Sequence, residues 1–248
     1  MKHLLIIGGG PAGTSAATTA AARGCRVTLV EKSIVGGAAH LWDCIPSKTM
    51  TATAVRIDSI RNAAKLGLVA EPGQVDPRQL AERISRISED ITGSWKQLLD
   101  SQGVDIVRGV GRFTSPHTAE LETESGTRHV DFDHALISTG SSPRVPPWVE
   151  IDGERILTTR DAYDLPVIPE HMVVIGSGVT GVEFVHIFSS LGSKVTLVVS
   201  RQQILPHRDA EVAAVLEEDF IERGVKLVIG ARAEAINRTD DGIEVVCD

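Results

Sequence analysis

Two stretches of the chain share one order of apolar and polar positions. Residues 3–31 and residues 171–199 each begin with a short apolar strand, pass through a glycine cluster into a helix, and end in a β-branched strand containing VTLV. The two stretches align without a gap. A strand, a helix and a second parallel strand in this order form a βαβ unit. The chain is therefore predicted to contain two copies of one α/β unit.

Different elements are predicted between the two copies. Residues 46–66 favour a helix, because a proline suits its first position. A second helix is predicted after Asp76 and Pro77, where apolar residues recur at steps of three and four. These residues are Leu80, Ile84, Ile87, Ile91, Trp95 and Leu98. Residues 104–137 alternate in the manner of strands, with turn residues between them, and predict a small antiparallel meander.

The predicted fold class is α/β, with two Rossmann-like three-layer nucleotide-binding units and the small meander. The first predicted domain spans residues 1–145 and includes helices over 46–102. Prolines mark a linker over 146–170. The second predicted domain spans residues 171–248.

Composition narrows the class of protein. The 248 residues are 42% hydrophobic and 23% charged, which suits packed cores and not a disordered chain. A formal net charge of −8 and an aromatic content of 4% disfavour a nucleic-acid partner. No stretch approaches the length of a membrane span, and no signal-peptide core is visible. The three cysteines are scattered and none has zinc spacing, so we expect a cytoplasmic protein without a metal site.

The glycines of the first copy form a GxGxxG turn between strand and helix. Gly8 allows the tight turn, Gly10 lets the backbone approach a pyrophosphate, and Gly13 lets the helix pack on the strand. Glu31 ends the second strand, where a carboxylate can accept hydrogen bonds from ribose hydroxyls. The turn therefore predicts a dinucleotide site. Its predicted residues are Gly8, Gly10, Pro11, Ala12, Gly13, Glu31 and Lys32.

The second copy lacks the terminal acid. Val199 occupies the position equivalent to Glu31, and Ser200 and Arg201 follow directly. An arginine near this point accommodates a 2′-phosphate, so the pattern favours NADP(H) over NAD(H). The alternative is an ordinary solvated arginine on a loop. The predicted residues here are Gly176, Gly178, Val179, Thr180, Gly181, Ser200 and Arg201.

Several separate motifs together resemble the pyridine nucleotide-disulfide oxidoreductase family, over the whole 248 residues. They are GGGPAG (8–13), GGAAHLWDCIPSK (36–48), STGSSPR (138–144) and GSGVTGVEF (176–184). The resemblance implies that the first unit binds FAD and the second NAD(P)H. It also implies a homodimer, whose interface domain is expected to be absent because the sequence stops inside the second unit.

The resemblance assigns roles to further residues. Gly37, Ala38, Thr139 and Gly140 would contact FAD, and Gly111 would lie near its adenine. Lys48 would lie near the reactive flavin nitrogen. Glu183, expected two residues into the second helix, would pair with Lys48 and touch the nicotinamide. The alternative for Glu183 is an acid stabilised by a helix N-terminus.

The redox motif departs from the family pattern. Where the family has two cysteines before IPSK, this chain has Ala39 and Cys44. A single sulfur cannot cycle between dithiol and intramolecular disulfide. Cys44 is expected either as a thiol against the flavin or as a small buried hydrophobe, with the latter favoured. His40 and Trp42 also depart from the pattern and could line a site for another acceptor.

These observations predict an FAD-dependent NAD(P)H oxidoreductase with Lys48, Glu183 and Cys44 as the catalytic candidates. The electron acceptor would be a quinone-like or other diffusible small molecule. Transhydrogenation between NADPH and NAD is the first alternative. A truncated, non-catalytic nucleotide-binding fragment is the second, and a dihydrolipoamide dehydrogenase-type activity is less favoured.

Overall fold

The computed structural model describes residues 1–71, 73–240 and 242–248. Its strands are β1 (His3–Ile7), β2 (Arg26–Glu31), β3 (Asp105–Arg108), β4 (Val110–Ser115), β5 (Thr118–Thr123), β6 (Gly126–Asp131), β7 (His134–Ile137), β8 (His171–Ile175), β9 (Lys194–Val199), β10 (Lys226–Ile229), β11 (Ala233–Thr239) and β12 (Gly242–Cys247). Its α-helices are α1 (Pro11–Ala22), α2 (Ile45–Arg61), α3 (Pro77–Ser101), α4 (Val179–Leu191) and α5 (Ala210–Glu222). The α/β class predicted from the sequence is confirmed.

The chain divides into two units by its internal contacts. The first unit comprises residues 1–46 and 83–143, and the second comprises residues 47–82 and 144–248. Most of α2 therefore groups with the second βαβ copy. The predicted domain boundaries at residues 145 and 170 stay predictions.

The first unit is built on a parallel sheet with the strand order β3-β2-β1-β7. Helix α1 connects β1 to β2. The two central strands bury Leu5, Ile6, Leu29 and Val30 almost completely, because a parallel sheet is covered on both faces. Strands β1 and β2 end at Ile7 and Glu31, beside the glycine turn that opens α1.

The antiparallel meander is shorter than predicted. It comprises β4, β5 and β6, which pair in sequence order. The flanking segments within 104–137 instead form β3 and β7, which pair in parallel with β2 and β1. The prediction of antiparallel pairing was wrong at both ends of 104–137, because alternation of apolar and polar residues indicates a strand but not the strand with which it pairs. The partners of β3 and β7 lie far away in sequence.

The predicted helices are present. Helix α2 is followed by a 3-10 turn over Ala63–Leu66, close to the predicted end at residue 66. Asp76 caps α3 by accepting a hydrogen bond from the Gln79 backbone N–H at 3.1 Å. One position of the predicted stripe is wrong: Leu98 is exposed and Leu99 is buried, because the last step is four residues and not three.

The second unit repeats the topology of the first. Strands β8, β9 and β10 form a parallel sheet in the order β10-β9-β8, with α4 and α5 as its crossover helices. Strands β11 and β12 form an antiparallel hairpin. Residues 146–170 form turns, in which Ile156, Ala162 and Tyr163 are buried. Across the described residues, the helices are too short or too polar to cross a bilayer.

Candidate functional site

The first glycine turn requires glycine at two positions for steric reasons. Gly8 has a φ of +109°, and a Cβ there would lie 2.2 Å from the Ser138 carbonyl oxygen. A Cβ on Gly13 would lie 1.9 Å from the Gly8 carbonyl oxygen. Both positions therefore permit the close approach of helix and strand that a Rossmann turn requires.

Gly10 differs from its two neighbours, because a Cβ built on it meets no protein atom within 4 Å. Its backbone is also ordinary, with a φ of −72°. The fold itself therefore tolerates a side chain at this position. The open space lies at the N-terminus of α1, where the first backbone N–H groups have no partner inside the helix. Pro11 and Ala12 are exposed at this end. The open space between Gly10 and the N-terminus of α1, called the first cradle below, therefore suits a phosphate group.

Glu31 is held at the edge of this cradle. Its Oε2 accepts a hydrogen bond from the Gly9 backbone N–H at 2.7 Å, and its Oε1 accepts one from Ser33 at 2.8 Å. Each carboxylate oxygen keeps a further lone pair, so both can still accept from ribose hydroxyls. The neighbouring Lys32 is exposed.

Two further predicted segments meet the same turn. The Gly36 backbone N–H donates to the Gly9 carbonyl at 2.8 Å, and a Cβ on Gly37 would lie 3.1 Å from the Gly10 Cα. This places Gly37 at the turn and brings Ala38 next to it along the chain. The Ser138 Oγ donates to the Gly8 carbonyl at 2.8 Å, with Thr139 and Gly140 following it.

The geometry of this cradle fits the pyrophosphate and ribose of a dinucleotide, since it combines open space, backbone N–H groups of the helix N-terminus and an oriented carboxylate. Gly111 lies elsewhere, on β4 against the Ile7 side chain. Its contact with the adenine stays a prediction.

The second glycine turn reproduces the first in its backbone. Gly176 has a φ of +113°, and a Cβ on Gly181 would lie 1.9 Å from the Gly176 carbonyl oxygen. Cβ atoms on Gly176 and Gly178 meet nothing within 4 Å, so this cradle is open as well. Val179 and Thr180 are exposed at the N-terminus of α4. The turn therefore suits a second dinucleotide.

The carboxyl end of β9 lacks an acidic side chain. Val199 is fully buried there, whereas Ser200 and Arg201 are exposed. The Arg201 carbonyl accepts a hydrogen bond from the Gly230 backbone N–H at 3.1 Å, which anchors the backbone of this loop. Arg201 is exposed, so its guanidinium is accessible to a phosphate.

An ion pair joins α2 to α4 within the second unit. The Lys48 ammonium donates to Glu183 Oε1, and the Ser47 Oγ donates to Glu183 Oε2 at 2.7 Å. The Lys48 Nζ also donates to the Ser47 Oγ at 3.0 Å. The sequence did not identify Ser47, although it precedes Lys48 directly and is completely buried.

The pKa of Glu183 is set by opposing effects. Burial raises the pKa of this carboxyl, but the hydrogen bonds from Lys48 and Ser47 and the charge of Lys48 lower it below its ordinary value. The acid lies one turn inside α4, which begins at Val179, and not two residues from the start. The expected position of Glu183 two residues into the helix is therefore wrong. The alternative of an acid stabilised by the helix N-terminus stays a prediction, although that effect falls off within the first turn.

The segment ahead of α2 departs from ordinary helix geometry. A π-helix spans Ala39–Asp43. It contains the buried His40, whose Nδ1 lies 2.9 Å from the Thr92 Oγ1 and whose pKa is lowered by burial. Cys44 follows the π-helix as a free, exposed thiol. The favoured expectation of a buried hydrophobe is wrong, because the Cys44 thiol is exposed directly after the π-helix.

Comparison with known proteins identifies the family of the chain. The family model described as pyridine nucleotide-disulphide oxidoreductase matches residues 2–248. The chain belongs to this family. Membership implies FAD and a pyridine nucleotide as cofactors.

Curated relatives with sequences similar to this chain carry two different names. The chain is 41% identical over 261 residues to a protein of Mycobacterium tuberculosis named NAD(P)H dehydrogenase (quinone), covering 99% of this chain and 52% of that protein. It is 34% identical over 246 residues to dihydrolipoyl dehydrogenase 2 of Haloarcula marismortui, covering 98% of this chain and 52% of that protein. The chain thus spans about half the length of the curated relatives it matches.

Solved structures agree with this assignment. LpdA from Mycobacterium tuberculosis superposes with a TM-score of 0.92 at 39% identity, covering 100% of this chain and 55% of that one. A Cu(II) complex of the HOCl-induced flavoprotein disulfide reductase RclA from Escherichia coli superposes with a TM-score of 0.85 at 25% identity. It covers 99% of this chain and 53% of that one.

Proposed function

We propose that the protein is an FAD-dependent NAD(P)H oxidoreductase that delivers electrons to a quinone-like diffusible acceptor. The observation that carries the proposal is the single exposed thiol of Cys44 with Ala39 ahead of it, in a chain that keeps the Lys48–Glu183 pair. The first cradle would hold FAD and the second NAD(P)H. Bound FAD would supply two-electron chemistry, taking hydride from the nicotinamide and passing electrons to the acceptor.

The chain's own residues would bind the dinucleotides and orient the groups that face the flavin. Glu31 and the free N–H groups of α1 hold the ribose and phosphates of the first dinucleotide. We assign Lys48 to the reactive edge of the flavin, where its ammonium stabilises negative charge. Glu183 and Ser47 hold that ammonium in place by hydrogen bonds.

We propose NADP(H) as the preferred nucleotide. Val199 replaces the carboxylate that would bind a 2′-hydroxyl, and Arg201 supplies a guanidinium that can bind a 2′-phosphate as a bidentate partner. The name of the Mycobacterium tuberculosis relative, NAD(P)H dehydrogenase (quinone), supports a pyridine nucleotide as donor and a quinone as acceptor, without favouring NADP(H) over NAD(H).

Transhydrogenation is the second candidate function. It is favoured by the segment VSRQQILP (199–206), which is similar to the corresponding segment of soluble pyridine nucleotide transhydrogenases. It needs the same two cradles and no thiol. The homodimer implied by the family stays a prediction that sedimentation of the purified protein can test.

The acceptor is tested by supplying three candidates to the purified protein with NADPH. Menadione, lipoamide and thio-NAD represent a quinone, a disulfide and a second nucleotide. We expect rapid NADPH oxidation with menadione and none with lipoamide. Faster turnover with thio-NAD would favour transhydrogenation, and turnover with lipoamide would overturn the proposal.

A further inference from the structure

A cluster of polar side chains joins three helices of the second unit around Arg223. This arginine follows the last residue of α5. Its Nη2 donates to the Ser189 Oγ at 2.6 Å and to the Ser190 Oγ at 2.8 Å, and both serines lie on α4. An ion pair to Asp219 at 3.4 Å anchors the guanidinium to its own helix. The fork of Arg223 therefore fixes α5 against the C-terminal turns of α4.

The same guanidinium determines the tautomer and the charge of the His186 imidazole. Arg223 Nη1 lies 3.1 Å from the His186 Nδ1. A guanidinium can only donate, so this Nδ1 accepts and the imidazole proton lies on Nε2. Burial, together with the charge of Arg223, lowers the pKa of His186 and keeps the ring neutral.

Helix α2 joins the cluster through Asp58 and Arg61. The Ser190 Oγ donates to Asp58 Oδ2 at 2.5 Å, and Arg223 Nη2 lies 3.6 Å from the same oxygen. Arg61 donates to the Ser190 carbonyl. The Asp58 and Arg223 side chains are only 27% and 23% exposed, so solvent screens their attraction weakly. Ser190 is thus held between an acid of α2 and a base from α5.

Helix α2 therefore meets α4 at two separate points. The first is the contact of Ser47 and Lys48 with Glu183, and the second is the contact of Asp58 and Arg61 with Ser190. Glu183 and Ser190 are two helical turns apart on α4. Two rigid helices joined at one point can still pivot, whereas two points fix their angle and their relative height. The second contact therefore determines where the Lys48 ammonium arrives.

We propose that Arg223, acting through Ser190 and Asp58, is a positioning residue that sets the geometry of the Lys48–Glu183 pair. The importance of this geometry for hydride transfer rests on the function proposed above. Arg223 itself touches neither member of the pair through any bond among the described residues. Its influence travels through α4 and α2 as rigid bodies.

The test uses variants that keep the charge of the cluster. Arg223→Lys retains the positive charge and loses the fork. Ser190→Ala removes the Oγ hydrogen bonds to Asp58 and Arg223 without changing any charge. Arg56→Lys is the matched control, since Arg56 is exposed on the same helix as Asp58. Keeping the charge matters because His186, Arg208, Asp219 and Arg223 line the same cavity of about 280 Å³ as Glu183. Lys48 pairs with Glu183 directly.

The readout is the titration of the Glu183 carboxyl, followed by NMR in protein free of FAD and nucleotide. Lys48→Met removes the Lys48 hydrogen bond and should raise the pKa of Glu183. Arg223→Lys and Ser190→Ala should also raise this pKa, because they move Lys48 away from its optimal hydrogen-bonding position. Arg56→Lys should leave the pKa of Glu183 unchanged. An unchanged pKa of Glu183 in Ser190→Ala would overturn the proposal. Ser190→Ala decides the matter alone if Arg223→Lys fails to fold.

A double substitution separates positioning from a direct effect. In a Lys48→Met background, Ser190→Ala should cause no further rise in the pKa of Glu183. An equal further rise would mean that the cluster acts on Glu183 without Lys48, against the proposal.

Flavin reduction distinguishes this inference from the proposed function. With FAD bound, Arg223→Lys should slow reduction by saturating NADPH about tenfold while leaving the nucleotide Kd unchanged. A raised pKa of Glu183 with an unaltered reduction rate would leave the positioning role intact and refute the function proposed for the pair.

Discussion

The Lys48 ammonium on α2 and the Glu183 carboxylate on α4 form an ion pair within the second unit. The pair lies beside the glycine turn of α4, because Glu183 follows Gly181 in the same helix. A residue of the IPSK motif and a residue of α4 are thus bonded to each other. This contact links two of the motifs by which the chain resembles its family.

The first prediction concerns the two kinds of glycine in the FAD cradle. Gly10→Ala should weaken FAD binding at least about tenfold, because its Cβ would occupy the space in which we propose that the pyrophosphate binds. It should leave the melting temperature unchanged, because that Cβ meets no protein atom within 4 Å. FAD fluorescence titration and a thermal melt measure the two effects.

Gly8→Ala provides the contrast. It should lower the stability of the protein itself, by more than about 1 kcal/mol, since φ is positive and the Cβ would collide with the Ser138 carbonyl. Equal FAD affinity in Gly10→Ala and the parent protein would contradict the assignment of this cradle.

The second prediction concerns nucleotide choice. Arg201→Ala should raise KM for NADPH about tenfold or more and leave KM for NADH nearly unchanged, because only NADPH carries the 2′-phosphate. Arg232→Ala is the control, as an exposed arginine after β10 in the same unit. Equal effects on both nucleotides would remove the 2′-phosphate role.

The third prediction concerns acid stability. Asp152 Oδ1 accepts hydrogen bonds from the backbone N–H groups of Glu154, Arg155 and Ile156, each at 2.8 Å, and Oδ2 pairs with Arg238. Although burial raises the pKa of Asp152, the hydrogen bonds from Ile156, Glu154 and Arg155, with the charge of Arg238, lower it to about 2.

The folded pKa of Asp152 lies below the unfolded value of about 3.9, so its stabilisation is present above pH 4 or so and is lost as the pH falls towards 2. Asp152→Asn should therefore be less stable at neutral pH and approach the parent protein near pH 2. Urea unfolding across this range measures the difference. A pH-independent difference, or one equal to that of the exposed control Glu154→Gln, would count against this account.

The fourth prediction concerns the thiol. Cys44→Ser should retain full NADPH oxidation with a quinone, because no step assigned to the chain uses a sulfur. Steady-state turnover with menadione measures this. If activity fell at least tenfold, Cys44 would have to take part in electron transfer.

The sequence predicts the parts of the fold that depend on local signals. The repeated βαβ pattern places both glycine turns, and the backbone angles of Gly8 and Gly176 agree within a few degrees. Capping by Asp76 is similarly local. The assignment of β3 and β7 failed because pairing is decided by distant strands, which alternation alone does not identify.

The contacts of the candidate site also join residues that are distant in the sequence, so most of them could not be predicted from local signals. The Lys48–Glu183 contact could be predicted only through the family resemblance, since nothing in the spacing of residues 48 and 183 brings them together. The exposure of Cys44 was not predicted, and the π-helix that precedes it has no clear sequence signal either. The Arg223 cluster was not foreseen because Asp58, Ser190 and Arg223 lie far apart in the chain and belong to no motif.

The central claim is that this chain's two cradles carry a flavin and the nucleotide that reduces it. The visible absorbance of the purified protein, recorded before and after anaerobic addition of NADPH, tests it most directly. We expect the protein to be yellow, or to become yellow on addition of FAD, and its flavin absorbance to bleach with NADPH. A protein that stays colourless with FAD, or a bound flavin that stays oxidised with NADPH, would contradict it.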